Sequence, residues 1–175
     1  VQSDFFSRTE KKSLSFLRKK ANSRCCRSFL QRVSVVITLT FTETKRLDDF
    51  KPLIHKLRNE LGPSFPPSIE SWCGLRRRSY PIFNWHIFVV KGAFSGDKIG
   101  LCSFYEQPQG RFWVGWIGTL KPYRRKGYGS LMLDYIEHKA RLLCFSEMYV
   151  HTDNDDAMRF YEANGFSRLG KYPFA

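Results

Sequence analysis

The sequence predicts an α/β chain with a central mixed, mostly antiparallel sheet flanked by helices on both faces. Three observations carry this reading. Between residues 85 and 120, three strand-length runs, "WHIFVVK", "IGLCSFYEQ" and "RFWVGWIGTL", are separated only by short glycine-bearing turns, the pattern of an antiparallel meander. From residue 128 the apolar period switches from two to that of a helix. After that helix comes a strand, a second helix and a last strand-like run. The 175 residues suit one domain, and 42% hydrophobic with 16% aromatic residues suffices for a globular, soluble core without disulfides or metal.

Along the chain, "VSVVITLTFT" from Val33 is β-branched and nearly continuous, predicting an opening strand about ten residues long. "DDFKPLIHKLRNELG" then spaces Phe50, Ile54, Leu57 and Leu61 helically, with Asp48 or Asp49 as N-cap, Pro52 in the first turn and Gly62 as the stop. Residues 63–83 carry "PSFPPS" and "LRRRSYP", which predicts a loop with at most a short helix around "SIESWCGL". After the meander, Tyr128, Leu131, Met132, Tyr135, Ile136, Ala140 and Leu143 mark one face of a helix over 128–143. "EMYVHTD" reads as a strand, "NDDAMRFYEAN" as a helix capped by Asn154 and stopped by Gly165, and "FSRLGKYPF" as a final strand.

Residues 1–32 differ in composition. Nine Lys and Arg stand against Asp4 and Glu10, with six serines interspersed. This predicts a basic, disordered extension or a transit-peptide-like segment outside the domain of residues 33–175.

The formal net charge of +13 favours polyanionic partners: phosphates, nucleic acid or an acidic membrane surface. The five cysteines contain no CxxC pair and no matching His spacing, so no metal site is expected. Cys102 and Cys144 lie in apolar elements and read as reduced, buried thiols, which suggests an intracellular, cytoplasmic protein, with organelle import through the basic N-terminus as the alternative. No apolar run reaches the roughly 18 to 20 residues of a transmembrane helix.

Charge and bare backbone meet in "KPYRRKGYGS", residues 121–130, at the junction of a strand and a helix. A helix N-terminus presents unpaired N–H groups and the positive end of its dipole, and glycines let a bulky anion come close. The loop therefore reads as a phosphate site. It is not a Walker A loop, because Lys126 precedes Gly127, and it is not a dinucleotide fingerprint, because Met132 stands where the third glycine belongs. What remains is R-x-x-G-x-G, Arg124 to Gly129, followed about 30 residues later by "NDDAMRFYEANGF".

These two motifs, in this order and strand-helix context, resemble the GNAT superfamily of acyl-CoA-dependent N-acetyltransferases. The resemblance covers roughly residues 111–166 and implies the acyl-CoA N-acyltransferase fold. It also implies an enzyme that moves an acetyl group from acetyl-CoA to a primary amine by direct attack in a ternary complex. The partners so implied are acetyl-CoA, as co-substrate, and an amine acceptor, a small molecule or a protein amine; no metal takes part and nucleic acid is not the expected partner. By the same resemblance, the amides around Arg125, Gly127, Gly129 and Ser130, with Tyr128 beside them, hold the pyrophosphate. Arg124, Arg125 or Lys126 reach its oxygens, and the strand end at Thr119 and Leu120 meets the pantetheine arm. Tyr161 matches the tyrosine that protonates the departing thiolate, and Asn154 caps its helix, contacts the cofactor, or does both.

The ammonium form of the acceptor must lose a proton before it can attack. Some family members carry an acid in the strand before the loop, but "RFWVGWIGTL" has none. Glu106, His86, His151 and Asp153 are the candidates. Two other readings compete: a nucleic-acid-binding module built on basic residues with interleaved aromatics, and a non-catalytic acyl-CoA-binding domain of the same fold.

Overall fold

The computed structural model describes residues 15–20, 38–73, 83–107 and 110–171. Its elements are β1 (Ser15–Lys20), β2 (Leu39–Glu43), α1 (Leu47–Leu61), α2 (Phe65–Trp72), β3 (Phe83–Gly92), β4 (Lys98–Gln107), β5 (Arg111–Thr119), a 3₁₀ turn at Lys121–Tyr123, α3 (Tyr128–Leu142), β6 (Glu147–Thr152), α4 (Asp155–Ala163) and β7 (Ser167–Lys171). The strands form one sheet in the order β2-β3-β4-β5-β6-β1-β7. Every pairing is antiparallel except β5 with β6, which is parallel, so the predicted mixed, mostly antiparallel sheet is the observed one.

Two apolar layers cover the sheet. Beneath α3, Met132, Leu133, Ile136 and Ala140 pack with Phe104, Phe112, Val114, Met148 and Val150, and Tyr161 of α4 joins them. On the other face, Leu53 and Leu57 of α1 and Phe65, Ile69 and Trp72 of α2 cover Leu101, Tyr105 and Trp113. Each fully buried side chain of this size stabilises the fold by about 1.5–3 kcal/mol relative to exposure. Strand residues alternate between the layers because successive Cβ atoms point to opposite faces.

The N-terminal expectation is corrected by β1. Residues 15–20 are no extension: they form an inner strand between β6 and β7, antiparallel to both. The inner position buries Phe16 toward the α1–α2 layer and Leu17 toward the α3 layer, at 3% and 0% exposure. The basic residues that suggested a solvated tail are paired in the fold, Arg18 with Glu147 at 3.3 Å and Lys19 with Glu137 at 2.6 Å. The domain therefore includes these six residues; the rest of the 1–32 expectation lies outside the described residues.

Other expectations shift locally. The first half of "VSVVITLTFT" lies outside the described residues, and β2 starts at Leu39. Helix α1 begins after Arg46, which caps it only by backbone geometry, and Asp48 and Asp49 instead occupy the first turn, where carboxylates complement the helix dipole. Gly62, at φ 89°, ends it as expected. Helix α2 starts at Phe65, ahead of the expected "SIESWCGL", because prolines are tolerated in a first turn that has no intrahelical use for their N–H. Cys102 is buried, but Cys144 is exposed: α3 stops before it, and it takes a left-handed conformation at φ 62°.

Candidate active site

A bulge opens the site. Between the pairs Cys102–Ile117 and Phe104–Val114, β5 carries one residue more than β4. The fully buried Ser103 hydroxyl fills the irregularity, accepting from the Trp116 N–H at 2.6 Å and donating to the Trp116 carbonyl at 3.3 Å. A bulge bends its strand and increases local twist. Accordingly β5 pairs with β6 only at Phe112–Met148 and Trp113–Tyr149 and then leaves it. Among the described residues no strand occupies the gap, so the β6-facing backbone groups of residues 114–119 open onto it. Trp72 of α2 rests over Gly115 at this point, where any side chain would collide with it.

The basic glycine loop stands at the open end of β5. Arg124 Nε donates to the Thr119 carbonyl at 2.9 Å and Lys126 Nζ to the Pro122 carbonyl at 3.0 Å, so both cations brace the loop. Arg125 is exposed in the left-handed region at φ 58°, and Gly127 caps α3 at φ 84°, a conformation that favours glycine. The Leu131 N–H makes the first helical bond, to the Gly127 carbonyl at 3.1 Å. The helix itself therefore offers no acceptor to the N–H groups of Tyr128, Gly129 and Ser130. Leu120 differs from expectation in what it can offer: its N–H donates to the Ile99 carbonyl and its own carbonyl accepts from the Tyr123 N–H.

The second motif meets the first in space. Asn154 Oδ1 accepts from the N–H groups of Asp156 (2.8 Å) and Ala157 (3.1 Å), fixing where α4 starts. At the other end, the Gly165 N–H bonds the Glu162 carbonyl and the Phe166 N–H bonds the Tyr161 carbonyl, a Schellman closure with Gly165 at φ 86°. Thus both ends of α4 are determined locally. The helix lays Phe160 against the start of α3: a Cβ added at Gly129 would lie 3.3 Å from Phe160 Cε2 and 3.9 Å from Thr119 Oγ1. Tyr161 sits in the α3 layer at 6% exposure, edge-on to Phe166 at 5.4 Å between centroids. Burial raises its phenol pKa, so the group stays a neutral acid at physiological pH.

Sequence reasoning missed Ser103 and Phe16. Neither belongs to a local motif; each acquires its role from a residue on another strand. Among the described residues no group of His, Cys, Asp and Glu could hold a metal ion. No helix of the described residues is long and apolar enough to cross a membrane.

The fold that these elements build, with its splayed parallel pair and left-handed glycine at the helix start, is the acyl-CoA N-acyltransferase fold. A family model described as the acetyltransferase (GNAT) family matches residues 54–166, and the chain belongs to that family. No curated protein matches it in sequence at a significant level. Among solved structures, it is similar to a functionally unknown conserved protein from Staphylococcus epidermidis, at 13% identity and a TM-score of 0.59, covering 90% of this chain but only 57% of that one. It is also similar to a protein from Desulfovibrio desulfuricans described as a GNAT-family acetyltransferase (18% identity, TM-score 0.58, 74% of this chain and 85% of that chain). A third is AAC(6')-Iy, solved with the bisubstrate analogue CoA-S-monomethyl-acetylneamine (13% identity, TM-score 0.57, 79% and 97%).

Proposed function

We propose that this chain moves an acetyl group from acetyl-CoA to a primary amine by direct attack in a ternary complex. The observation that carries the reading is the meeting of the two motifs at Gly129 and Phe160, beside the gap between β5 and β6. The residues present suit acetyl-CoA. The first-turn N–H groups of Tyr128, Gly129 and Ser130, with the α3 dipole behind them, favour a pyrophosphate, and Arg124, Arg125 and Lys126 surround that point with charge. The β6-facing backbone of β5 beyond Trp113 lines a slot for an extended amide-bearing arm; the slot ends near Thr119, whose carbonyl is held by Arg124, and before Leu120, whose backbone groups are already bonded.

When bound, acetyl-CoA supplies an acyl group activated by a good leaving thiolate. The chain holds the reactants together, excludes water with the aromatic walls of both layers, and donates a proton from the Tyr161 hydroxyl to the departing sulfur. Asn154 acts on this site through α4, whose start it caps and whose second turn carries Phe160 and Tyr161. The free thiols of Cys73, Cys102 and Cys144 suit a reducing, intracellular place of action.

A thermal-shift titration tests the reading: acetyl-CoA raises the melting temperature by mass action, and single-stranded DNA or RNA does not. The reverse result would favour the nucleic-acid module. Stabilisation by acetyl-CoA without transfer to any of a panel of peptide amines, polyamines and aminoglycosides would favour a binding domain without chemistry.

A further inference from the structure

The candidates for the amine's proton acceptor separate by strand and by face. His86 lies on β3, two strands from the gap, with its Nδ1 2.8 Å from Glu43 Oε1 and its ring stacked on Phe104 in the α3 layer. Glu106 pairs with Phe112, at the closed end where β5 and β6 are still joined. Asp153 follows β6 in the exposed turn before α4. His151 stands on β6 two residues past Tyr149, the last β6 residue paired with β5. Its ring packs on Trp113 of β5, 5.8 Å between centroids, and on Phe16 of β1, 6.1 Å, and the residue stays exposed at the surface.

We infer that His151 takes the proton from the acceptor amine, with Phe16 as the residue that positions its ring; this rests on the acetyl-transfer reading above. Phe16 and Trp113 belong to the layer under α1 and α2, whereas Tyr161 belongs to the layer under α3. Base and acid thus stand on opposite faces of the sheet, the base beside the point where β5 and β6 part. A nucleophile that enters from one face and a sulfur that leaves toward the other need this arrangement.

The step balances as follows. His151 accepts one proton from the ammonium; the freed nitrogen lone pair forms the C–N bond as the C–S bond breaks. The sulfur receives the Tyr161 proton, which the attacking nitrogen restores to Tyr161 through water as it becomes an amide. The proton on His151 passes to solvent. Phe16 and Trp113 shield the part of the imidazole that packs on them, while the residue as a whole stays exposed; that partial shielding lowers its pKa, with Asp153 opposing, and favours the neutral ring. On β1, Arg18 is engaged with Glu147 toward the other end of β6, and β5 presents Trp113 to the ring rather than a charge.

The test uses the full chain with acetyl-CoA and three probes: kanamycin, spermidine and a lysine-containing peptide. His151→Gln is expected to lower kcat/KM by at least about a hundredfold. It should also abolish an acid limb whose midpoint in the parent lies below the ordinary imidazole value of about 6.5, while calorimetry shows unchanged acetyl-CoA affinity. Phe16→Leu, which keeps the site apolar, moves that midpoint up toward the ordinary value. A His151→Gln variant with the parent's kcat/KM and acid limb overturns the assignment and leaves acetyl transfer standing. An unmoved midpoint in Phe16→Leu overturns the positioning role. A parent chain that binds acetyl-CoA yet acetylates none of the three probes overturns both the acetyl-transfer reading and the assignment.

Discussion

Lys19 Nζ lies 2.6 Å from Glu137 Oε2, tying the inner strand β1 to the helix that opens at the basic glycine loop. Glu137 is only 7% exposed, and Arg141 Nη1 at 3.5 Å is its second cation. Removing one partner of a buried pair leaves the other short of compensation. Lys19→Met should therefore destabilise the chain by about 1–3 kcal/mol, read as a fall of roughly 3–10 °C in melting temperature. A melting curve that superimposes on the parent's would show that β1 is not docked on α3.

A chain shortened to begin at Val33 loses β1 altogether. It leaves β6 and β7 without the strand that joins them and uncovers the core positions filled by Phe16 and Leu17. Burial of two such side chains is worth about 3–6 kcal/mol, a large share of a domain's stability. The shortened chain is expected to aggregate or to lose its cooperative melting transition, whereas the 175-residue chain folds. Cooperative unfolding at the parent's temperature would count against the strand.

The glycines of the loop act differently. Gly127 meets no neighbour within 4 Å, so Gly127→Val strains the backbone at φ 84°, while Gly129→Val drives Phe160 away from α3. Each change alters the N–H cradle, and each should weaken acetyl-CoA by tenfold or more, at least about 1.4 kcal/mol. Calorimetry on folded variants measures this, and undiminished affinity in the double variant would refute the cradle.

If Tyr161 is the acid proposed above, Tyr161→Phe should leave acetyl-CoA affinity intact and lower kcat, because such a hydroxyl matters only as thiolate charge develops. The sign of its pH dependence follows from burial. A raised phenol pKa keeps the acid protonated through neutral pH, and the rate is lost only as pH climbs past the ordinary tyrosine value of about 10. Steady-state rates between neutral and alkaline pH check this; a basic limb near neutrality that Tyr161→Phe retains would assign the limb to another group.

The motifs were legible in sequence because their chemistry is local. An asparagine cap and a glycine closure are decided by a few consecutive residues, so Asn154 caps α4 and Gly165 closes it as their spacing predicts. The meander and helices α1, α3 and α4 were legible for the same reason, through apolar period and short turns. "SFLRKK" was not, because its partners lie 129 and 118 residues away, at Glu147 and Glu137. Strand pairing at that separation leaves no local signature, and a basic segment looks solvated until its counter-charges are placed. Tertiary structure alone decided the sheet order, the bulge at Ser103 that parts β5 from β6, and the seat of His151 between Phe16 and Trp113. The physical reason is that backbone hydrogen bonds between strands carry no residue identity, so only simultaneous burial of both faces selects which strands become neighbours.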